Sequence, residues 1–452
     1  MDKSTVAAIS TPKGKGGVAM IRITGEQAFE IASKVFVPAS NKELLSYKPN
    51  TAIYGRFFDE NIPFDDGIAI LYKAPASFTG EDTVELCCHG GVLVTQKLLS
   101  AVFAAGAYPA GAGEFTKRAF INGKLKLSEA EAIGGIIDAV SEKHLNISLL
   151  QLEGSLSRKI SDIYSRLAFL ASSVYAYIDY PDEDMTDIPP EEMKKILTGI
   201  YSELDTLRQS RKYGRAISEG VSAVIAGRPN TGKSSLLNLL SGSERAIVTD
   251  IEGTTRDVIT EKIVVGDVVL NLSDTAGIRD GGDIIEKIGI EKSQKAINDA
   301  EIIILVFENR LTQQDMHVVE LIKKAKKENS VIALYNKTDL EKAEPAGIFK
   351  YEIPFSTKTG EGKAELEKAI ATLCGEGDVT DNSTIITSAR QFAAIKKSME
   401  HIQNAIFSLD SFTQDIAGMD IERAMAQLSE LDGRQVTEEV VNNIFSHFCV
   451  GK

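Results

Sequence analysis

Residues 227–234 read Gly-Arg-Pro-Asn-Thr-Gly-Lys-Ser, a complete GxxxxGK[ST] phosphate loop. The apolar run Val221 to Ala226 precedes it, and a helix-like stretch, Ser235 to Leu240, follows. A strand that feeds a glycine-rich turn and then a helix start aims successive backbone N–H groups at a β-phosphate. Lys233 adds a point charge for the β/γ oxygens, and the Ser234 hydroxyl suits Mg²⁺.

Three downstream motifs extend this site. Asn336-Lys337-Thr338-Asp339 decides the base. An aspartate carboxylate only accepts, so Asp339 can take the N1–H and 2-amino donors of guanine, whereas adenine offers an acceptor at N1 and no 2-amino group. An unpaired buried carboxylate is costly, so GTP is favoured over ATP. Asn336 is expected at the base's major-groove edge, where it also helps fix the loop, with the Lys337 stem along the base. Ser356-Thr357-Lys358, after an expected strand at Tyr351 to Phe355, fits a last base-contacting loop. Asp274-Thr275-Ala276-Gly277 can hold the Mg²⁺ shell through its aspartate and bring the Gly277 N–H to the γ-phosphate. Thr254-Thr255-Arg256-Asp257 lies where GTPases place the switch threonine. Ile278 follows the second motif, and isoleucine cannot orient a water. Acidic candidates nearby are Asp280, Asp283, Glu286 and Glu291, and spacing alone does not choose among them.

The elements that must position these residues are legible as periodicity. Residues 1 to about 118 alternate β-rich runs (Val18 to Ile23, Thr51 to Phe58, Gly67 to Leu71, Thr83 to Cys88) with glycine and proline, plus a helix over Val92 to Ala105, an α+β unit. From Glu142, apolar residues from Leu145 to Val174 recur at three- and four-residue steps, which predicts one long amphipathic helix. The acidic segment Asp179 to Pro190 reads as a turn, and the next helix runs to about Arg211. Helical periodicity resumes after the linker Gly375 to Asn382, near Ala389 to Leu409 and Asp420 to Phe448. Between them, Val258 to Val265 and Val268 to Ser273 flank a Gly266-Asp267 turn, a hairpin that predicts the mixed sheet of small GTPases. Glu301 to Phe307 and Ser330 to Tyr335 supply core strands. The expected organisation is a multidomain α/β chain: an N-terminal α+β domain (1–118), a helical bundle in two parts (119–213 and 377–452), and an inserted Ras-like P-loop domain (214–376).

Bulk properties bound the rest. The chain has 452 residues and a net charge of −14, which argues against a surface coated for non-specific nucleic-acid binding; any RNA contact must be local or shared with a partner. Four cysteines and five histidines lack disulfide-framework density and metal-site spacing, which fits a reducing cytoplasm. Met1 to Ser10 lack signal-peptide order, and no apolar stretch reaches the length of a membrane span. Cys449 follows Ile444, Phe445 and Phe448 at the end of an apolar helical pattern, so a buried structural thiol and a reactive thiol are both open readings.

The run Ile225 to Asn230 with Gly253-Thr254-Thr255-Arg256-Asp257 resembles the TrmE-Era-EngA branch of GTPases. Ser77 to Gly91 (SFTGEDTVELCCHGG), Gly113 to Leu125 (GEFTKRAFINGKL) and the terminal Phe448-Cys449-Val450-Gly451-Lys452 narrow the resemblance to the MnmE (TrmE) family of tRNA modification GTPases. The resemblance implies a homodimer joined through N-terminal domains of tetrahydrofolate-binding type. It also implies an FAD-dependent partner, MnmG, with which the family adds (carboxymethyl)aminomethyl groups at C5 of the tRNA wobble uridine. By motif, the contacts to a 5-formyl- or methylene-tetrahydrofolate would be Arg22, Glu85, Lys124 and Lys452, cations for its carboxylates and Glu85 for the pterin donors. GTP contacts would be Asn230, Thr231, Gly232, Lys233, Ser234 and Ser235; the switch run Thr249, Asp250, Ile251, Glu252, Gly253, Thr254 and Thr255; Asp274, Thr275, Ala276 and Gly277; Asn336, Lys337 and Asp339; and Ser356, Thr357 and Lys358. Magnesium would take Ser234 and Thr255. Potassium would take Asn230, Thr249, Ile251 and Thr254, doing the electrostatic work of an arginine finger. The family's water-directing glutamate matches Glu286, and Cys449 matches its C-terminal cysteine. Departures from the family pattern are Lys13 and Lys15, Arg390-Gln391, and Glu308-Asn309-Arg310 at a strand end.

Two other readings fit the motifs less well. An Era- or EngA-type ribosome-assembly switch would need a KH domain or a second GTPase domain after the first, where this chain shows only helical periodicity. A folate-binding scaffold with a degenerate nucleotide site conflicts with intact Lys233, Ser234, Thr255 and Asp274. Lys117, Arg118, Lys124 and Lys126 make only a small basic cluster, which does not by itself define a tRNA-contacting surface.

Overall fold

The computed structural model describes residues 4–179, 188–243, 261–272, 295–378, 384–411 and 414–451. They divide into two units, Met1–Gly134 with Ser429–Lys452, and Gly135–Leu428.

Strands β1 (Val6–Ile9), β2 (Val18–Thr24), β3 (Phe36–Pro38), β4 (Ala52–Asp59), β5 (Ile62–Tyr72), β6 (Thr83–His89) and β7 (Tyr108–Pro109) build the first unit's seven-stranded sheet, in the order β3-β4-β5-β6-β2-β1-β7. Alternation decides what each face carries. On β2 and β6, Ile21, Ile23, Val84 and Leu86 are fully buried under the helices Ala28–Val35 and Val92–Ala104. Arg22 and Glu85, paired across the two strands, point to the other face. The sequence pattern missed β1 and the short helix Glu114–Ile121, whose apolar runs are only a few residues long. That helix packs on Glu438–Ser446 through Phe120 and Phe445, with ring centroids 6.3 Å apart. The terminal residues are then stitched to the sheet's loops: Val450 bridges Ala112, and the Ser10 Oγ donates to the Gly451 carbonyl at 2.8 Å.

The second unit joins helices to a six-stranded sheet, ordered β13-β12-β11-β8-β10-β9. Its strands are β8 (Val221–Ala226), β9 (Glu261–Val265), β10 (Val268–Leu272), β11 (Ile302–Phe307), β12 (Val331–Tyr335) and β13 (Tyr351–Pro354). β9 is antiparallel to β10 across the expected Gly266-Asp267 turn, and the other neighbours are parallel, so the sheet is mixed as the hairpin implied.

The helices depart from the periodicity reading in three places. The single helix expected from Glu142 is two, Glu142–Leu152 and Ser155–Asp179, because Gly154 takes a φ of +81°, where a helix ends readily. An apolar period can continue across such a break, since both pieces face the same core. The segment Asp420 to Phe448 is likewise two helices, Gln414–Asp432 and Glu438–Ser446, the second restarted by Thr437, whose side chain accepts from the Val440 N–H. The helix expected to stop near Arg211 runs from Pro190 to Ser218, since Tyr213, Ala216 and Ile217 add a buried turn beneath the sheet. The expected turn at Asp179 to Pro190 and the start of the hairpin at Val258 fall largely or wholly outside the described residues. Among the described residues, no helix is long and apolar enough to cross a membrane.

The chain enters and leaves the sheet of the second unit beside one helix. The Ser210 Oγ accepts from the Ile386 N–H at 3.0 Å, and the Gln151 Nε2 donates to the Ile385 carbonyl at 2.6 Å. Arg211 is hydrogen-bonded to the Thr387 carbonyl and pairs with Glu219 at 2.8 Å. Gly214 makes this crossing possible, because a Cβ there would sit 2.1 Å from the Ile386 carbonyl oxygen. Gly214→Ala is therefore expected to destabilise the protein by about 1–3 kcal/mol, read as a lower thermal unfolding midpoint; an unchanged midpoint would show that the crossing tolerates a side chain.

Candidate functional site

The C-terminal ends of β8, β11 and β12 lie side by side, the edge at which open parallel sheets receive ligands. The phosphate loop leaves β8 and turns into the helix Lys233–Ser243. Thr231 is fully buried, and its Oγ1 donates to the Arg228 carbonyl at 3.0 Å, which closes the loop on itself. Asn230 stands at its crest with φ +65°, a conformation asparagine tolerates better than most residues, and its side chain is exposed. Ser234 and Ser235 are exposed on the first helical turn. The Lys233 Nζ donates to the Gly227 and Arg228 carbonyls at 2.8 and 2.6 Å, so the ammonium is curled inside the loop. Burial pushes its pKa down, the direction that an added phosphate charge would reverse.

Asn336, at the end of β12, ties this loop to the other loops of the site. It is almost fully buried; its Nδ2 donates to the Thr231 carbonyl at 2.8 Å, and its Oδ1 accepts from the Thr357 N–H at 3.0 Å. Its own N–H donates to the Phe307 carbonyl at 3.0 Å. Gly232 permits the approach, since a Cβ there would lie 2.1 Å from the Asn336 Nδ2. Asp339 is oriented by Ser356, whose Oγ donates to its Oδ1 at 2.8 Å, with the Lys358 Nζ 3.9 Å from Oδ2. One carboxylate oxygen is thus fixed by a neutral donor, and lone pairs remain for two donors on a flat base edge. Lys337 holds φ +69° and pairs through Nζ with Glu308.

In the first unit, the Arg22 Nε and Nη2 donate to the Glu85 Oε1 at 3.0 and 2.8 Å, and the Tyr72 hydroxyl donates to Oε2 at 3.1 Å. The guanidinium lies 5.5 Å from the ring centroids of both Phe78 and Phe115. Arg118 is buried; it pairs with Glu81 at 2.9 Å and Glu114 at 2.7 Å, and donates to the Ser4 carbonyl at 3.0 Å. It borders a cavity of about 940 Å³, whose walls include Glu26, Asp82, Asn122 and Val441.

Two family models match the chain: GTP-binding protein TrmE N-terminus over residues 5–124 and MnmE helical domain over residues 127–449. The tRNA modification GTPase MnmE of Clostridioides difficile is 38% identical over 99% of this chain and 99% of its own. That of Acetivibrio thermocellus is 40% identical over 100% of this chain and 99% of its own. The chain belongs to the MnmE family of tRNA modification GTPases. The G domain of the T. maritima FeoB iron transporter is also similar, at 28% identity over 34% of this chain and 98% of that one, with a TM-score of 0.25.

In this MnmE chain the described nucleotide-site residues (Asn230 to Ser235, Asn336, Lys337, Asp339 and Ser356 to Lys358) stand at one sheet edge. The rest of the expected set lies outside the described residues: Thr249, Asp250, Ile251, Glu252, Gly253, Thr254, Thr255, Asp274, Thr275, Ala276, Gly277, Glu286 and Lys452, with Ile278 and the acidic candidates Asp280, Asp283 and Glu291. Arg22 and Glu85 are brought together as one ion pair in an aromatic cleft rather than standing as separate surface charges. Lys124 donates through Nζ to the Pro75 carbonyl at 3.1 Å, and neither it nor the Arg22–Glu85 pair lines the large cavity.

The basic cluster is not a free patch: Arg118 is buried between glutamates, Lys117 donates to Asn442 at 2.7 Å, and the Lys126 Nζ lies 3.8 Å from Asp432. Cys449 lies beyond the end of its helix at Ser446 and is exposed, which removes the buried-thiol reading; its carbonyl accepts from the Gly113 N–H at 3.3 Å. Asn336 joins the loops through one N–H and one lone pair of its carboxamide, which bears out the loop-fixing part of its expected role and leaves a second N–H and a second lone pair. Sequence reasoning missed the Arg118 network, although Glu114 four residues before Arg118 on one helix face was a visible signal.

Asn336→Ala would leave the buried Thr231 carbonyl without its partner, at a cost of about 1–3 kcal/mol. GDP binding is expected to weaken by about tenfold or more in a fluorescent-nucleotide titration, and an unchanged dissociation constant would show that the phosphate loop holds its shape without Asn336.

Proposed function

We propose that this MnmE-family chain hydrolyses GTP to drive the addition of a (carboxymethyl)aminomethyl group at C5 of the wobble uridine of certain tRNAs. It does so in the cytoplasm, as a homodimer, with an FAD-dependent partner of the MnmG type. Residues 1–118 form the dimerising, tetrahydrofolate-binding domain, 119–213 and 377–452 the helical domain, and 214–376 the GTPase domain. The observation that carries the reading is the Asn336 carboxamide joined to both Thr231 and Thr357, with Asp339 steered by Ser356. That arrangement suits a guanine base and a phosphate chain held at a set separation.

The roles follow from chemistry at each position. Phosphates lie over the N-terminus of the helix Lys233–Ser243, with Lys233 swinging from the loop carbonyls to the β/γ oxygens. The exposed Ser234 hydroxyl, with Thr255, is of the right hardness for magnesium. The exposed Asn230 carboxamide, with Thr249, Ile251 and Thr254, offers the neutral oxygens that suit potassium. When bound, that cation offsets charge developing at the β/γ bridge. Glu286 directs the attacking water in place of the glutamine that Ile278 lacks. Asp339 reads guanine. A 5-formyl- or methylene-tetrahydrofolate contacts the cleft of Arg22 and Glu85 together with Lys124 and Lys452, and Cys449, whose thiol is exposed, serves as a catalytic residue.

Asp339→Asn exchanges an acceptor for a donor at one edge of the base. GTP affinity is expected to fall by about tenfold or more, with xanthosine triphosphate gaining on GTP; an unchanged preference would contradict the base assignment. Hydrolysis is expected to rise by at least about tenfold when potassium replaces sodium, and Glu286→Ala to retain GTP affinity while losing about a hundredfold in kcat. Equal rates in the two salts would remove the cation, and an unchanged kcat would move the water to another residue.

A further inference from the structure

Glu308, the ion-pair partner of Lys337, is one of the departures from the family pattern. It follows β11, the strand between β8 and β12 in the sheet, so the phosphate loop leaves the sheet on one side of it and the base loop on the other. The register places Leu305 beside Ala226 and Phe307 beside Tyr335, which brings Arg228, Glu308 and Lys337 to neighbouring strand ends. The contacts follow. The Glu308 Oε1 pairs with the Lys337 Nζ, and its Oε2 lies 3.5 Å from the Arg228 Nη2. Arg228 is held from the far side by Asp315, which is almost fully buried and accepts from its Nε at 2.9 Å. Asp315 is itself fixed by the Thr312 N–H and hydroxyl at 2.9 and 2.6 Å.

We infer that Glu308 is a positioning residue for guanine nucleotide: its carboxylate clasps Lys337 of the base loop and Arg228 of the phosphate loop, setting the wall along which the base lies. This rests on the nucleotide-site reading above and adds a residue to it. The physical case is the geometry of two cations on one carboxylate. Lys337 is a non-glycine residue at φ +69°, a backbone conformation that persists only where its surroundings hold it. The Glu308 contact supplies one such hold at the end of the side chain, while the Leu340 N–H donates to the Lys337 carbonyl at 2.9 Å to hold the backbone. Lys337 and Arg228 carry like charges, and without Glu308 they would repel each other across the space between the two loops. Asn336 joins the same two loops through a neutral carboxamide at a buried depth, and Glu308 does so with charge at the partly exposed rim.

Because the clasp touches ground-state binding and not the reacting phosphate, its loss is expected in nucleotide retention and KM rather than in kcat. The test measures release of a fluorescent GDP analogue by stopped flow and steady-state GTP hydrolysis, for the full chain carrying Glu308→Ala or Glu308→Gln. Glu308→Gln keeps the shape and an acceptor oxygen while removing the charge, so it remains informative where the alanine variant folds poorly. An exposed ion pair of this kind is worth up to about 1 kcal/mol. Release is accordingly expected to quicken about fivefold in both variants, with KM raised in proportion and kcat at saturating GTP within about twofold of the parent. Release and KM unchanged in Glu308→Gln would overturn the clasp, as would a loss confined to kcat. Failure of the parent protein to retain the GDP analogue would overturn the nucleotide-site reading itself, and this inference with it.

Discussion

The nucleotide edge depends on one buried carboxamide. Asn336 reaches from the end of β12 to the phosphate loop through Thr231 and to the last loop through Thr357. These loops come from different strands and are separated by about a hundred residues of chain along the sequence. Leaving either partner of a buried hydrogen bond unpaired is costly, so these bonds hold the loops together. Gly232 is the residue that lets the carboxamide come close enough. The loop after β12 and the phosphate loop are thereby joined directly by side chain to backbone.

The same economy operates where the chain leaves and re-enters the helices. Ser210, Arg211 and Gly214 on one helix receive Ile386 and Thr387 on the return. Two passages of the chain separated by the entire sheet are therefore clamped on the same helical face. The terminal residues obey a separate rule in the first unit, where Val450 and Gly451 are pinned to the loops of the sheet and Cys449 is left exposed between them and the helix.

How much of this was legible follows the kind of signal. The phosphate loop, the Asn336 to Asp339 run and the β9–β10 hairpin were readable because each demands particular residue types at fixed spacing. The mixed character of the sheet followed from the hairpin. Helix ends were less legible: the apolar period across Gly154 continues through a break, since period reports which face is buried and not whether the backbone is continuous. That Asn336 helps fix the loop follows from its residue type and place, but which groups it holds is shown only by the approach of Thr231 and Thr357. The partners of Arg118 and Lys126 were not legible, because sequence does not display which glutamates and aspartate fold against them.

The central claim is that guanine-nucleotide turnover at this edge drives chemistry on tRNA. Its most direct test is mass spectrometry of nucleosides from unmodified tRNA incubated with this protein, an FAD-dependent MnmG-type partner, a tetrahydrofolate one-carbon donor, potassium and either GTP or a non-hydrolysable analogue. The account predicts a wobble uridine modified at C5 with GTP and not with the analogue. Equal modification in the two reactions would contradict it.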